Sequence, residues 1–170
     1  MEIFDIVNRD GRVVGQASRE ECHRNPALIH QAVHVVVFNR QGELFLQKRS
    51  ERKDIQPGKW DTSVGGHLQQ GESPEVGARR ELEEELGIRV PQLEMEYRYL
   101  WESKIETELI TTFFLLHEGP FHLQAEEISD GRFWSFAEIE RALPTGFATP
   151  QFQSEFPRIK NTWETRRIRI

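Results

Sequence analysis

The sequence predicts an α/β fold in which helices cover a mixed central sheet, preceded by an N-terminal β-hairpin. Short apolar runs rich in β-branched residues, turn-forming pairs between them and one strongly signalled helix predict this class. The chain is 37% hydrophobic and 10% aromatic, which is enough apolar material for one core. Its 170 residues are too few for two ordinary domains joined by a linker. We therefore expect a single domain over residues 1–170.

The N-terminal hairpin is expected from two short strands, residues 4–7 and 12–17, around the Asp10-Gly11 pair. Both residues of this pair tolerate positive φ, which a tight hairpin turn requires. The pattern recurs in residues 33–38 and 44–48, which flank a turn ending at Gly42. The apolar run 33–38 predicts a buried central strand.

The strongest helix signal lies in the middle of the chain. Ser73 is suited to the N-cap, Pro74 to the first turn and Gly87 to the position after the last turn, so we expect a helix over residues 74–86. A loop precedes it, with Pro57, Gly58, Gly65, Gly66 and Gly71. Further strands are expected at residues 94–101, 109–116 and 133–134, and further helices at 136–143 and 150–164.

Charge and cysteine content limit the function classes. The 22 Lys and Arg residues against 28 Asp and Glu residues give a net charge of −6, which argues against a nonspecific nucleic-acid or anionic-membrane surface. Arg166, Arg167 and Arg169 are more simply a solvated terminal face. The lone Cys22 cannot form an internal disulfide, and no segment has the roughly 20 apolar residues of a membrane span. We expect a cytoplasmic protein; a homodimer is left open.

The predicted helix carries three carboxylates on one side. At 100° per residue, Glu81, Glu84 and Glu85 fall within an arc of about 100°, beside an apolar face that includes Leu82 and Leu86. Like charges at this spacing destabilise a helix unless a cation neutralises them, and Mg²⁺ and Mn²⁺ prefer oxygen ligands. Glu84 and Glu85 are therefore candidate metal ligands. A solvated acidic face is the alternative.

The wider spacing around these carboxylates matches a known motif. The chain resembles the Nudix hydrolase superfamily at every defined position of its box, in a loop, helix and turn context. The resemblance implies an α/β/α sandwich that hydrolyses a nucleoside diphosphate linked to another moiety, a small-molecule diphosphate substrate. The matching positions are Gly66, Glu72, Arg80-Glu81-Leu82, Glu84-Glu85 and Gly87-Ile88.

The resemblance also implies roles for the box residues in a reaction that depends on Mg²⁺ or Mn²⁺. A metal must neutralise the charge of a diphosphate and help to deprotonate water. Glu81 is implied as a further ligand or as the base acting on water, Arg80 as the partner that orients a box carboxylate, and the Gly65 carbonyl as a metal ligand. Glu72 is implied to support the loop or an additional metal.

A second resemblance is to isopentenyl-diphosphate isomerase, which is built on the Nudix fold. It is carried by two histidines seven residues apart, by residues 60–67 and by Glu106-Thr107-Glu108. In an extended segment Glu106 and Glu108 point to the same side. The resemblance implies a second divalent metal site, and three imidazoles with two carboxylates suit Mn²⁺, Zn²⁺ or Fe²⁺. Its residues are His23, His30, His67, Glu106 and Glu108.

The sequence departs from the isomerase at one reacting position. The isomerase has a proton-donating cysteine where this chain has Gly65, and glycine has no side-chain proton. Cys22 lies beside His23, but a lone cysteine is more often a small buried hydrophobe. Because the Nudix box is also complete, hydrolysis is favoured over isomerisation. A third hypothesis is a Nudix-fold binding module that catalyses no reaction. Such a module is expected to have lost box glutamates, and this chain has lost none.

Several residues near the motifs have two readings each. Three basic residues between the first strands and the box either reach substrate phosphates or serve solubility. A tryptophan beside them either stacks on a base or anchors the loop in the core. Two acids before residues 133–134 are either ligands or bases, as in related hydrolases, or exposed. The three basic residues are Lys48, Arg49 and Arg52, the tryptophan is Trp60, and the two acids are Glu126 and Glu127.

Overall fold

The computed structural model describes residues 1–168, so the side chain of Arg167 and the whole of Arg169 in the expected arginine cluster lie outside the described residues. Over this range, groups of two, four and three consecutive strands are separated by α-helices, and two further helices follow the last group. The strands are β1 (Ile3–Val7), β2 (Val13–Ser18), β3 (Ile29–Phe38), β4 (Leu44–Arg49), β5 (Trp60–Asp61), β6 (Val64–His67), β7 (Glu94–Glu102), β8 (Thr107–Leu116) and β9 (Ile128–Trp134). The α-helices are α1 (Arg19–Cys22), α2 (Pro74–Leu86), α3 (Phe136–Ala142) and α4 (Pro150–Ile168).

The described residues form two compact units. The first unit consists of Met1–Val35, Val64–Glu84 and Ile88–Phe114. The second consists of Val36–Ser63, Glu85–Gly87 and the chain from Leu115 onwards. No helix within residues 1–168 is both long and apolar enough to cross a membrane.

The first unit begins with the predicted hairpin. β1 and β2 pair antiparallel, with Phe4 opposite Ala17, and the turn places Gly11 at a φ of 86°. The Asn8 side chain closes the turn by accepting hydrogen bonds from the backbone N–H groups of Asp10 and Arg12. β1 also pairs with the start of β3, where Ile6 lies opposite His30. The prediction of an N-terminal hairpin is confirmed.

β6 corrects the expectation of a continuous glycine-rich loop before the helix. Val64–His67 forms a strand that pairs antiparallel with β3, so that Gly65 lies opposite His34 and Gly66 opposite Val33. Glycine has low strand propensity, but buried backbone N–H and C=O groups need partners, and β3 supplies them. β5 (Trp60–Asp61) is a second short strand within the expected loop. Gly65 and Gly66 are therefore held in a fixed backbone rather than in a mobile loop.

α2 has the bounds that its capping signals predict. The Ser73 hydroxyl accepts a hydrogen bond from the backbone N–H of Val76 at 3.3 Å, and Gly87 follows the helix with a φ of 71°. Ala78 and Leu82 are fully buried, so the helix is fixed by one apolar face. The acidic residues at its other positions are therefore presented in a defined order along a rigid element.

In the second unit β4 is paired on two sides. It pairs antiparallel with β5, where Gln47 lies opposite Asp61, and with β9, where Gln47 lies opposite Gly131. α3 begins with a capping box formed by Ser135 and Glu138. α3 ends one residue before the expected 143, and a short 3₁₀ turn follows it, whereas α4 continues four residues beyond the expected 164. β9 is also longer than the two residues expected from sequence, because pairing with β4 extends it.

Candidate functional site

The Arg80 guanidinium gathers the carboxylates of the first unit around α2. Its Nε and Nη2 donate to the two oxygens of Glu72 at 2.8 and 2.9 Å, a bidentate pair. Its Nη1 donates to Glu81 at 2.8 Å and to Glu84 at 3.3 Å. Nη2 also donates to the His67 carbonyl at 3.1 Å, which ties the helix to the end of β6. One planar group thus sets the positions of three carboxylates.

This network shifts the ionisation of its members. The hydrogen bond to Glu72 is the largest influence on Arg80 and raises the pKa of the guanidinium further above its ordinary value. Burial alone would raise the pKa of the Glu72 carboxyl, but the hydrogen bonds from Arg80 and from the Gln69 backbone, with the charge of Arg80, together hold that pKa below its ordinary value. Glu72 and Arg80 are consequently a permanent ion pair at neutral pH.

Gly66 makes room for the Glu81 carboxylate. A Cβ atom on Gly66 would lie 2.3 Å from the Glu81 carboxyl carbon and 2.4 Å from its Oε1. Real Cβ atoms do not approach other atoms so closely, so a side chain at position 66 would displace the carboxylate. Gly66 therefore matters here for the close approach of Glu81 and not for a positive φ.

In the second unit Glu85 is held by a residue that the motif does not contain. Glu85 is buried, with 8% of its surface exposed, and its Oε1 accepts a hydrogen bond from Gln47 Nε2 at 2.6 Å. The same nitrogen donates to the Ser63 carbonyl at 3.0 Å. Sequence reasoning missed Gln47. Its signal was a polar amide in the otherwise apolar run Leu44-Phe45-Leu46.

The structure brings together all five residues of the expected second metal site, within the first unit. His23 Nε2 lies 3.1 Å from Glu106 Oε2 and His30 Nε2 lies 3.6 Å from the same atom. Glu108 Oε2 lies 3.5 Å from His30 Nε2 and 3.3 Å from His67 Nε2. One ligand atom from each of His23, His30, His67 and Glu106 falls within 4.8 Å of the others. We call these five residues the His/Glu cluster.

Several atoms of the His/Glu cluster are placed as metal ligands would be and do not form hydrogen bonds with one another. His23 Nε2, His30 Nε2 and Glu106 Oε2 are buried and make no well-formed hydrogen bond with any residue in the range 1–168. Buried polar atoms without such partners are costly. Imidazole nitrogens and carboxylate oxygens that converge in this way suit a divalent transition metal. The donor set therefore fits the metal that the sequence resemblance implies.

Burial shapes the ionisation of the His/Glu cluster. Burial, followed by the nearby His67, lowers the pKa of His23. Burial and the charge of Glu108 raise the pKa of Glu106. Burial alone would also raise the pKa of Glu108, but interactions with His30 and His67 hold it well below its ordinary value. Glu108 is thus ionised and Glu106 is the more easily protonated carboxyl of the two.

The four expected substrate-binding residues lie in or beside β4 and β5. Lys48 and Arg49 are partly buried and Arg52 is exposed. Arg49 is engaged within the protein, since its Nε donates to the Ile55 carbonyl at 3.0 Å and its Nη1 lies 3.6 Å from Asp61 Oδ2. Trp60 packs edge-on against Trp134, with ring centroids 5.1 Å apart, which is the contact expected of a loop anchor.

The remaining candidates are placed as follows. Cys22 is fully buried in a small core with Phe4, Ile6 and Ala17, and burial raises the pKa of its thiol. Its side chain therefore packs within the apolar core and stays a neutral thiol at neutral pH. Glu126 is exposed, and Glu127 forms an ion pair with Lys53.

Comparisons with known proteins bear on the family. The model of the NUDIX domain matches residues 28–153. A protein described as the uncharacterized Nudix hydrolase YfcD of Escherichia coli K12 is 39% identical over 129 residues, which are 76% of this chain and 71% of that protein. The uncharacterized Nudix hydrolase lmo0368 of Listeria monocytogenes is 32% identical over 155 residues, which are 89% of this chain and 90% of that protein.

Solved structures of Nudix-fold proteins are also similar to this chain. DR0079 from Deinococcus radiodurans is similar with a TM-score of 0.73 and 26% identity, covering 87% of this chain and 92% of that one. The MutT protein from Methanosarcina mazei Go1 is similar with a TM-score of 0.67 and 25% identity, covering 81% and 95%. These likenesses confirm the predicted fold class, a Nudix α/β/α fold with a mixed sheet. By domain match, relatives and fold together, the chain belongs to the Nudix hydrolase family.

Proposed function

We propose that this chain acts as a single domain over residues 1–170 that hydrolyses a diphosphate linkage in a nucleoside diphosphate derivative or a related organic pyrophosphate. Water is the nucleophile. The observation that carries the proposal is the complete box, with Arg80 gathering Glu72, Glu81 and Glu84 at 2.8 to 3.3 Å. Family membership supports the same reaction class.

The cation is proposed to be Mg²⁺ or Mn²⁺, held by Glu81, Glu84 and Glu85 with the Gly65 carbonyl. These groups offer only oxygen ligands, which hard divalent cations prefer. When bound, such cations neutralise diphosphate charge and lower the pKa of water. Glu84 is half exposed, with 51% of its side chain accessible, so its carboxylate can be reached from solvent by ion and substrate.

The chain's own groups have distinct proposed tasks. Arg80 orients the Glu81 carboxylate and, through its hydrogen bond to the His67 carbonyl, holds α2 against the end of β6. Glu81 serves as a further ligand or as the base that accepts a proton from the attacking water. Arg80 cannot take that proton, because its guanidinium stays charged. Lys48, Arg49 and Arg52 are proposed to contact substrate phosphates.

A second candidate function is an isomerase-like reaction on isopentenyl diphosphate. The observation that favours it is the convergence of the His/Glu cluster, for which we propose a second divalent metal such as Mn²⁺, Zn²⁺ or Fe²⁺. Against it, Gly65 offers no side-chain proton at the position where the isomerase has a cysteine, and Cys22 is buried. Hydrolysis therefore ranks first.

The test is a screen of the purified protein with Mg²⁺ or Mn²⁺ against nucleoside diphosphates, triphosphates, sugar conjugates, dinucleotides and isopentenyl diphosphate. Phosphate release and product mass are followed together. We expect products with water added, and a loss on the order of 100- to 1000-fold in kcat/KM for Glu85→Gln on the same substrate, because a metal ion supplies several kcal/mol of charge stabilisation. Full turnover in Glu85→Gln would contradict the assigned role of the box.

The other outcomes separate the alternatives. A product of unchanged mass from isopentenyl diphosphate, with a moved double bond, would establish the isomerase. Tight binding of a diphosphate compound with no turnover under any metal would indicate a binding module. The matched control is Glu20→Gln, which changes an exposed glutamate paired with Arg24 and should leave kcat/KM unchanged.

A further inference from the structure

Gln47 lies at a rigid point of the second unit. Its backbone belongs to β4, which is paired on one side with β5 and on the other with β9, so Gln47 lies opposite Asp61 and Gly131. Its side chain is buried, with 7% of the residue exposed. A side chain placed by a doubly paired strand has little freedom to shift.

The orientation of the Gln47 amide is fixed by its two partners. Nε2 donates to the Glu85 carboxylate at 2.6 Å and to the Ser63 carbonyl at 3.0 Å. Both partners are acceptors only, so the nitrogen of the amide, not its oxygen, must face them. The two hydrogens of the NH₂ group match the two acceptors.

The Ser63 carbonyl is itself held in place. Ser63 is fully buried; its Oγ accepts from the Val37 backbone N–H at 2.9 Å and donates to the Phe45 carbonyl. Ser63 thereby anchors the residue before β6 to both β3 and β4. A connected set of hydrogen bonds thus runs from the β3 and β4 backbone through Ser63 and Gln47 to the Glu85 carboxylate.

The choice of an amide has a chemical consequence. Gln47 donates a hydrogen bond to Glu85 without bringing a positive charge, unlike Arg80, which neutralises the carboxylates that it orients. Gln47 therefore holds one of the two carboxylate oxygens of Glu85 in place and adds no charge of its own that would repel a cation. Partners of this kind fix ligand geometry and typically change metal affinity or activity by about 10- to 100-fold when removed.

We infer that Gln47 is a positioning residue that orients the Glu85 carboxylate for a divalent cation through the 2.6 Å hydrogen bond to its Oε1. This inference rests on the proposed function, in which Glu85 is a metal ligand. Gln47, which lies outside the Nudix box, would then help to determine how the box helix α2 binds its metal ion.

The test uses direct binding of Mn²⁺, followed by the electron paramagnetic resonance signal of the free ion. Gln47→Met keeps the length of the side chain and removes both donors, and Gln47→Asn keeps the donors but shortens their reach. We expect Glu85→Gln to abolish one class of Mn²⁺ sites. Gln47→Met should weaken that same class by about 10- to 100-fold, and Gln47→Asn by less.

Four controls separate positioning from a general structural effect. Mn²⁺ sites that survive in Glu85→Gln should keep their affinity in Gln47→Met, and KM for the substrate should change less than the Mg²⁺ concentration that gives half-maximal rate. Gln153→Met makes the same change at an exposed position of α4 and should leave every constant unchanged. Thermal unfolding of the metal-free protein reports whether Gln47→Met folds; if it does not, Gln47→Asn carries the test.

The outcomes distinguish the inference from the proposal beneath it. If Glu85→Gln removes a Mn²⁺ site but both Gln47 variants bind like wild type, the positioning role is overturned and the proposed function stands. If Glu85→Gln binds Mn²⁺ like wild type, the assignment of Glu85 as a ligand fails and the inference fails with it. A lower melting temperature in Gln47→Met with unchanged Mn²⁺ affinity would also overturn the inference.

Discussion

The first unit holds two groups of carboxylates by opposite means. Around α2, the fixed charge of Arg80 hydrogen-bonds Glu72, Glu81 and Glu84. In the His/Glu cluster the carboxylates lie within 3.1 to 3.6 Å of imidazole nitrogens, and buried atoms such as His23 Nε2 and Glu106 Oε2 make no well-formed hydrogen bond within residues 1–168. An arginine hydrogen-bonds the first group, whereas the second consists mainly of atoms that can act as metal ligands.

A bound metal ion would therefore contribute differently to the two groups. Protein contacts already position the α2 carboxylates, so an ion bound there is expected to affect the reaction more than the stability of the fold. The His/Glu cluster joins His23, after α1, to strands β3, β6 and β8, so an ion there would join segments distant in sequence. We therefore expect stability to depend on the His/Glu cluster's ion and turnover to depend on the α2 carboxylates.

The largest expected effect is on thermal unfolding with Zn²⁺, which imidazole ligands favour over Mg²⁺. At about 100 times its dissociation constant a ligand stabilises by about 2.7 kcal/mol, which for a chain of this size raises the melting temperature by about 5–10 °C. His67→Ala should lose most of this shift, because it removes one ligand. Calorimetry with and without Zn²⁺ measures it.

The control for this prediction is His122→Ala, which removes an exposed imidazole and should keep the Zn²⁺ shift. An equal shift in wild type and in His67→Ala would contradict a stabilising role of the His/Glu cluster, since the ion would then bind elsewhere. Mg²⁺ should give a smaller shift than Zn²⁺ in the wild type.

The next effect concerns the Arg80 guanidinium. Arg80→Ala should lower the stability of the metal-free protein by about 2 kcal/mol, because it strips partly buried carboxylates of their donors, or about 4–8 °C in melting temperature. Arg89→Ala removes an exposed pair with Glu83, in which 84% of the Arg89 side chain is accessible, and should cost less than about 0.5 kcal/mol. Equal costs for the two variants would show that Arg80 does not organise the α2 carboxylates.

The smallest effect is a dependence on acid. The folded-state pKa of Glu72 lies below 4.5 because Arg80 stabilises its ionised form. Ionised Glu72 therefore stabilises the folded state fully above pH 4.5, and this contribution is lost as the pH falls through the lowered pKa. The stability difference between wild type and Glu72→Gln, measured by urea unfolding without metal, should be constant above about pH 5.5 and shrink below pH 4.5. Parallel curves down to pH 3 would refute the linkage.

Local signals in the sequence predicted part of the fold well. The bounds of α2 follow from Ser73 and Gly87, and the first hairpin follows from Asp10-Gly11, because caps and tight turns depend on neighbouring residues only. β6 was not predicted, since Gly65 and Gly66 have no strand propensity and the strand exists through pairing with β3. Strand pairing with a distant segment leaves no periodic pattern in the segment itself.

The candidate site shows the same limit. The box residues and the His/Glu cluster were found because their spacing matches known motifs. Gln47 was missed, because its task depends on a contact with Glu85, 38 positions away in the sequence. A buried polar residue within an apolar strand is the only local trace of such a contact.

The close approach of Gly66 to Glu81 also bears on how freely the sequence can vary. Every single-nucleotide missense change in a glycine codon introduces a residue with a Cβ atom, and at this position that atom overlaps a carboxylate. A substitution at position 66 would therefore act indirectly, by shifting the Glu81 carboxylate from the place where Arg80 hydrogen-bonds it. A residue without a side chain thus contributes to the site by leaving its space open.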